Sequence, residues 1–198
     1  TYGDDIAAGK VLANELRLKL GEEILRFIEE GGLILGICNG FQVLVKAGFL
    51  PDPTKGSASS VTLTNNDSGK FECRWIHLEV NRNSPCVFTQ GVDRMYLPVA
   101  HGEGKLVALP GLLAEVSIAL RYIDEDGNNR ARYPHNPNGS VDNIAGICDD
   151  SGRIFGLMPH PERHLRGTQH PQWTRLGSKK YGDGFQVFRN AVKWARSL

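Results

Sequence analysis

The sequence predicts an α/β fold with a mostly parallel central sheet flanked by helices, and three observations carry that expectation. A helical pattern leads directly into a continuous apolar run, Leu33-Ile34-Leu35-Gly36-Ile37. A second helical pattern follows that run at once, as in a strand buried on both faces of a parallel sheet. Alternating strand patterns then recur toward the C-terminus. The 198 residues suit one domain spanning 1–198, and 40% hydrophobic with 23% charged residues is ordinary globular composition. A formal net charge of +1, with no run of like charges, argues against a nucleic-acid or anionic-membrane partner. The longest apolar run is far too short to span a bilayer and no signal-peptide pattern opens the chain, so a cytoplasmic protein is expected.

In chain order, residues 6–20 carry Leu12, Leu16 and Leu20 at four-residue steps. Residues 22–30 repeat the pattern with Ile24, Leu25 and Ile28, which predicts two short amphipathic helices separated at Gly21. Gly31-Gly32 closes the second helix, the apolar strand follows, and residues 41–47 form a helix stopped by Gly48 and Pro51. Residues 52–69 are rich in Ser, Thr, Asn, Gly and Asp and read mostly as loop before a strand near residues 71–80. Val116, Ile118, Leu120 and Tyr122 alternate as in a strand, and Asp126-Gly127 supplies a turn. A strand pair over residues 144–148 and 153–158 brackets the turn Asp149-Asp150-Ser151-Gly152. The last element is a helix over residues 185–198, with Phe185, Phe188, Val192 and Ala195 on one face.

Four cysteines, Cys38, Cys73, Cys86 and Cys148, lack the paired spacing of a zinc site or disulfide framework, and no metal site is expected. Cys38 is different from the others. Gly36-Ile37-Cys38-Asn39-Gly40 passes from strand to helix through a glycine-flanked turn, the pattern of a nucleophile elbow with cysteine in place of serine. The turn puts the thiol at a helix N-terminus, where partial positive charge favours thiolate. That spacing alone leaves an inert cysteine open. Pro159-His160-Pro161-Glu162-Arg163 changes the balance, because prolines that hold the chain extended let His160 and Glu162 project to one side. An imidazole beside a thiol can take and return its proton, and a carboxylate on the imidazole fixes its tautomer.

GICNGFQ at 36–42, AHGEGK at 100–105, YPHNPNGS at 133–140 and GLMPHPER at 156–163 closely resemble the glutaminase component of phosphoribosylformylglycinamidine synthase. YGDDIAAGK at 2–10 and the closing GFQVFRNAVKWA extend the resemblance over nearly the whole chain. GxCxGxQ and the HPE run are shared by triad amidotransferases generally, whereas HGEG, NPNGS and NNDSGKFECRW are specific to this purine branch. The resemblance implies the class I glutamine amidotransferase fold, flavodoxin-like, with the nucleophile at the C-terminal edge of the sheet strands. It implies Cys38, His160 and Glu162 as the catalytic triad, the backbone N–H of Asn39 as an oxyanion donor, and Gln42, Asn66, Ser68 and Phe71 as glutamine contacts. HGEG and NPNGS stand open between turn structure and a role in docking a synthetase or gating ammonia.

The implied partner is the synthetase subunit of that enzyme, possible bridging by a small subunit included. No cofactor is expected on this chain. Gly9-Lys10-Val11 fails the phosphate-loop pattern, so ATP and Mg are expected on the synthetase. The family's first sheet strand and a glycine turn carrying the second oxyanion donor precede the segment that opens at Thr1, so this sequence is expected to lack them. Two competing readings follow. One is another cysteine hydrolase on the same scaffold, which Gln42 and the purine-branch segments count against. The other is a noncatalytic or weakly active remnant subunit that only docks the synthetase.

Overall fold

The computed structural model describes residues 9–55, 60–177 and 179–198; the start of the predicted first helix lies outside them. A helix, α1 (Lys10–Glu29), leads into a short strand, β1 (Ile34–Ile37), and a second helix, α2 (Asn39–Ala47). The predicted break at Gly21 does not occur: α1 runs through it. Glycine costs about 1 kcal/mol in a helix interior, and continuous main-chain hydrogen bonding outweighs one such residue. The predicted stop does occur, with Gly31 at a left-handed φ of 95°. Gly48 ends α2 in the same way, at φ 82°.

Six strands form the main sheet in the order β1, β8 (Ile154–Leu157), β7 (Ile144–Cys148), β6 (Ser117–Ile123), β3 (Glu72–Val80), β4 (Arg94–His101). The α/β class holds, but among the described residues the sheet is mixed rather than mostly parallel. Only β1 with β8 is parallel, and the other pairings are antiparallel. The physical reason lies in the connections. Asp149 and Gly152 close a tight hairpin between β7 and β8, and a parallel neighbour needs a crossover of about a dozen residues or more.

Strand β1 pairs only with β8 among the described residues and is half-buried, not buried on both faces as its apolar run predicted. β7 and β8 are the fully buried strands, and in β8 Ile154 faces one hydrophobic cluster and Phe155 and Leu157 the other. The first cluster lies under α1 and α2 and includes Phe41, Val43 and Leu44. The second joins Leu78, Leu97 and Tyr122 to Val187 of the last helix, α4 (Phe185–Ala195). That helix turns a different face inward from the predicted one: Val187 and Asn190 are buried, while Val192 is 52% exposed. Asn190 explains the rotation, since its amide donates to the carbonyls of Phe88 and Gln90.

The stretch read mostly as loop contains one further strand, β2 (Val61–Thr64), paired antiparallel with β5 (Lys105–Ala108). Val61 and Leu63 are buried and the two threonines exposed, an alternation already visible in the residue types. No helix of the described residues is long and apolar enough to cross a membrane.

Candidate active site

Cys38 joins β1 to α2 in a backbone conformation that few non-glycine residues adopt, φ 52° and ψ −107°. Such a conformation costs on the order of 1–3 kcal/mol and persists only where the surroundings enforce it. Here the Cys38 N–H donates to the Leu157 carbonyl at 2.8 Å, and the Cys38 carbonyl accepts from the Gln42 N–H at 3.2 Å. Gly36 makes the turn possible. A β-carbon there would stand 2.6 Å from Leu44 Cδ1 and 2.8 Å from the Gly40 carbonyl, so strand and helix approach at backbone distance. Gly40 itself has open space at the corresponding position among the described residues, so only one of the two flanking glycines is required by packing. The thiol, half-buried, lies 3.7 Å from the Ala100 carbonyl at the end of β4. Asn39 opens α2, where main-chain N–H groups have no helical acceptor.

His160 follows β8 and is tied to β4 by its N–H, which donates to the Pro98 carbonyl at 2.8 Å. Its Nδ1 meets Glu162 Oε1 at 2.6 Å. The pair is closed by a 3-10 turn, Pro161–Arg163, rather than the extended segment the prolines suggested, because Pro161 sits at the first helical position where its fixed φ is favourable. His160 Nε2 is buried without a hydrogen-bond partner of its own among the described residues. Burial alone would lower the His160 pKa, yet the Cys38 thiol and the Glu162 carboxylate outweigh it and raise the value to about 9. Burial would likewise raise Glu162, and its hydrogen bond to His160, the imidazolium charge and Arg163 hold it below its ordinary value instead. With a Glu162 side chain 41% exposed, this pair orients the imidazole more than it stabilises the fold.

Three loops are stapled around this centre. Gln42, one helical turn after Cys38, is buried and donates from Nε2 to the Glu103 carbonyl at 2.5 Å. Asn66 donates to the carbonyls of Lys70 and His101, and its Oδ1 accepts from the Gly104 N–H and contacts His101 Nδ1 at 3.1 Å. Its amide is therefore fully engaged within the chain. Asn138 donates to the Gly104 carbonyl and the Tyr122 hydroxyl, and Ser140 Oγ accepts from the Leu106 N–H. HGEG and NPNGS thus form one buried hydrogen-bonded unit beside the thiol. Ser68 and Phe71 are exposed, Phe71 by 67%.

Sequence reasoning missed the buried Glu72, which pairs with Arg74, and the Tyr133 hydroxyl that Arg74 also contacts. The Glu72 carboxyl is held below its ordinary value because hydrogen bonds from Ser68 and Arg74 and the Arg74 charge outweigh burial. The available signal was a carboxylate and a guanidinium two apart on one strand face.

The chain matches the CobB/CobQ-like glutamine amidotransferase domain family over residues 1–195. It is 61% identical to phosphoribosylformylglycinamidine synthase subunit PurQ of Dehalococcoides mccartyi, over 100% of this chain and 77% of that one. The same-named subunit of Archaeoglobus fulgidus is 42% identical over 99% of this chain and 75% of its own. Among solved structures, PurLQS from Thermotoga maritima superposes with a TM-score of 0.72 at 34% identity, covering 98% of this chain and 74% of that chain.

Proposed function

The chain belongs to the glutamine amidotransferase family of phosphoribosylformylglycinamidine synthase, and from that membership we propose how its residues release ammonia from glutamine for purine synthesis. One observation carries the assignment: the thiol of the strained Cys38 turn acts on the imidazole of His160, which a carboxylate holds at 2.6 Å. The Cys38 thiolate attacks the side-chain amide carbon of glutamine. The resulting oxyanion accepts a hydrogen bond from the Asn39 N–H, the first donor of α2. His160 gives its proton to the amide nitrogen as the C–N bond breaks, leaving ammonia and a glutamyl thioester. Water then attacks the thioester, His160 takes its proton, and glutamate departs with the thiol restored.

Ser68 and Phe71 are assigned to the amino-acid end of glutamine, a reading favoured by their exposure. Gln42 and Asn66 support the site by fixing its loops, a reading favoured by their bonds to Glu103, His101 and Gly104. Ammonia released into bulk water is diluted and protonated, so delivery requires a docked synthetase. That partner supplies ATP and Mg and converts formylglycinamide ribonucleotide to formylglycinamidine ribonucleotide. The name of the Thermotoga structure, which joins Q to L and S, supports a synthetase and a small third subunit as partners.

The test is synthesis by the assembled enzyme with glutamine or ammonia as nitrogen donor. Cys38→Ala is expected to lower the glutamine-dependent rate by on the order of 10³ or more and to leave the ammonia-dependent rate intact. Loss of both overturns the nucleophile assignment. Failure of a glutamine-analogue diazo ketone to label Cys38 in the complex supports a docking subunit instead.

A further inference from the structure

His101 opens the HGEG segment at the end of β4, next to the Ala100 carbonyl that touches the Cys38 thiol. It is only 4% exposed, and the catalytic scheme above does not use it. Its tautomer follows from its neighbours. Asn66 Nδ2 donates to two carbonyls and Asn66 Oδ1 accepts from the Gly104 N–H, so the amide orientation is settled. The Nδ1 of His101, 3.1 Å from that same Oδ1, must therefore carry the hydrogen. In the neutral ring, Nε2 is then a bare acceptor.

That Nε2 is buried and has no partner among the described residues. The ring is not free to turn away. A β-carbon on Gly104 would lie 2.3 Å from its Cε1, so the ring is seated against the glycine backbone. The facing ionisable groups are Glu72, its cross-strand neighbour on β3, and His160. Burial first, and then the charge of His160, hold the His101 pKa down to about 4, against the opposing influence of Glu72. An acceptor kept neutral and unpaired, in a ring that feels the His160 charge and adjoins the Ala100 carbonyl at the thiol, calls for a donor that arrives with the reaction.

Resting on the glutaminase reading above, we propose that His101 Nε2 accepts a hydrogen bond from the glutamine carboxamide nitrogen as it becomes ammonia. The proton that converts the amide nitrogen to ammonia comes from His160, the C–N bond breaks, and none passes to His101. A neutral acceptor holds ammonia by one of its N–H groups and leaves the nitrogen lone pair, the reactive part, unprotonated.

The test uses two variants in the assembled enzyme. His101→Asn keeps a donor toward Asn66 and removes the distal acceptor, whereas His101→Gln keeps an acceptor near Nε2 and removes the donor. The Asn variant is expected to lose about tenfold in kcat for glutamine with KM changed by less than about twofold, and the Gln variant to stay within about threefold of the parent. The reverse ranking, or parental rates in both, overturns the proposal in favour of a purely structural histidine. A second measurement requires no change at His101: in the Cys38→Ala protein at pH 9.5, added ammonia is expected to shift the 15N resonance of His101 Nε2. An unmoved resonance overturns it as well. Absence of glutamine hydrolysis by the parent complex is a separate result, which would sink the glutaminase reading itself.

Discussion

Two regions along β4 crowd histidines together, and only one of them pushes an imidazole up. At its C-terminal end, His160 is buried and yet pushed up to about 9. Toward its N-terminal end, Tyr96, His77, His164 and His170 line a cavity of about 600 Å³, with Trp75 packed edge-on or tilted against Tyr96, His164 and His170. His77 and Tyr96 lie 4.4 Å apart and Tyr96 and His170 5.2 Å apart. Here burial is the largest influence on His77 and His170, and both are lowered. Two carboxylates, Glu125 and Asp183, line the same cavity, and Asp183 is engaged by the Tyr96 N–H. Desolvation acts alike in the two places. A hydrogen-bonded carboxylate together with a thiol reverses it in one, whereas in the other the charges of Glu125 and Asp183 oppose it without prevailing.

The comparison breaks most visibly at Glu162. Glu162→Gln removes the charge that holds the His160 imidazolium, and glutamine turnover is expected to fall by about two to four orders of magnitude, as steady-state rates in the complex would show. The residual activity carries a pH signature. His160 has a folded-state pKa above its ordinary 6.5, so its contribution to stability is complete below that value and is lost as pH rises through about 9. Its capacity to protonate the departing amide nitrogen is lost over the same range. In Glu162→Gln the alkaline fall in rate is expected at lower pH than in the parent; an unmoved limb would show that the carboxylate does not tune His160.

A smaller effect sharpens the role of the elbow. Gly36→Ala forces a methyl against Leu44 and the Gly40 backbone, and overpacking of this kind costs about 1–3 kcal/mol. Thermal unfolding should register the loss together with reduced Cys38 labelling. Parental stability would mean that strand and helix separate easily. Smallest of all, His170→Ala in the aromatic cavity is expected to change stability by no more than about 0.5 kcal/mol and to leave glutamine turnover within about twofold. A larger fall in turnover would couple the cavity to the catalytic end.

Much of the candidate site was legible because it is local. GxCxG specifies a strand-to-helix turn, and HPE places an imidazole and a carboxylate two residues apart. The polar unit around His101 was legible only as unexplained motifs, since Asn66, Gly104 and Asn138 come from three distant segments and meet through long-range hydrogen bonds. The aromatic cavity gave no signal at all, because its rings come from β3, β4 and the segment following His160, each ordinary by itself. The inward face of α4 was misread for a related reason: periodicity names an apolar stripe but not the carbonyls of Phe88 and Gln90 that draw Asn190 inside.

The residue types and their spacing determined the α/β class, the helix stops at Gly31 and Gly48 and the β7–β8 hairpin, and they nominated the proposed nucleophile and its base. Those features depend on backbone preferences and contacts within a few residues. Tertiary structure decided that the sheet is mixed, that α1 runs unbroken through Gly21, and which histidine is charged. Strand direction depends on where a distant partner lies, and an imidazole's pKa on groups that only the folded chain brings beside it.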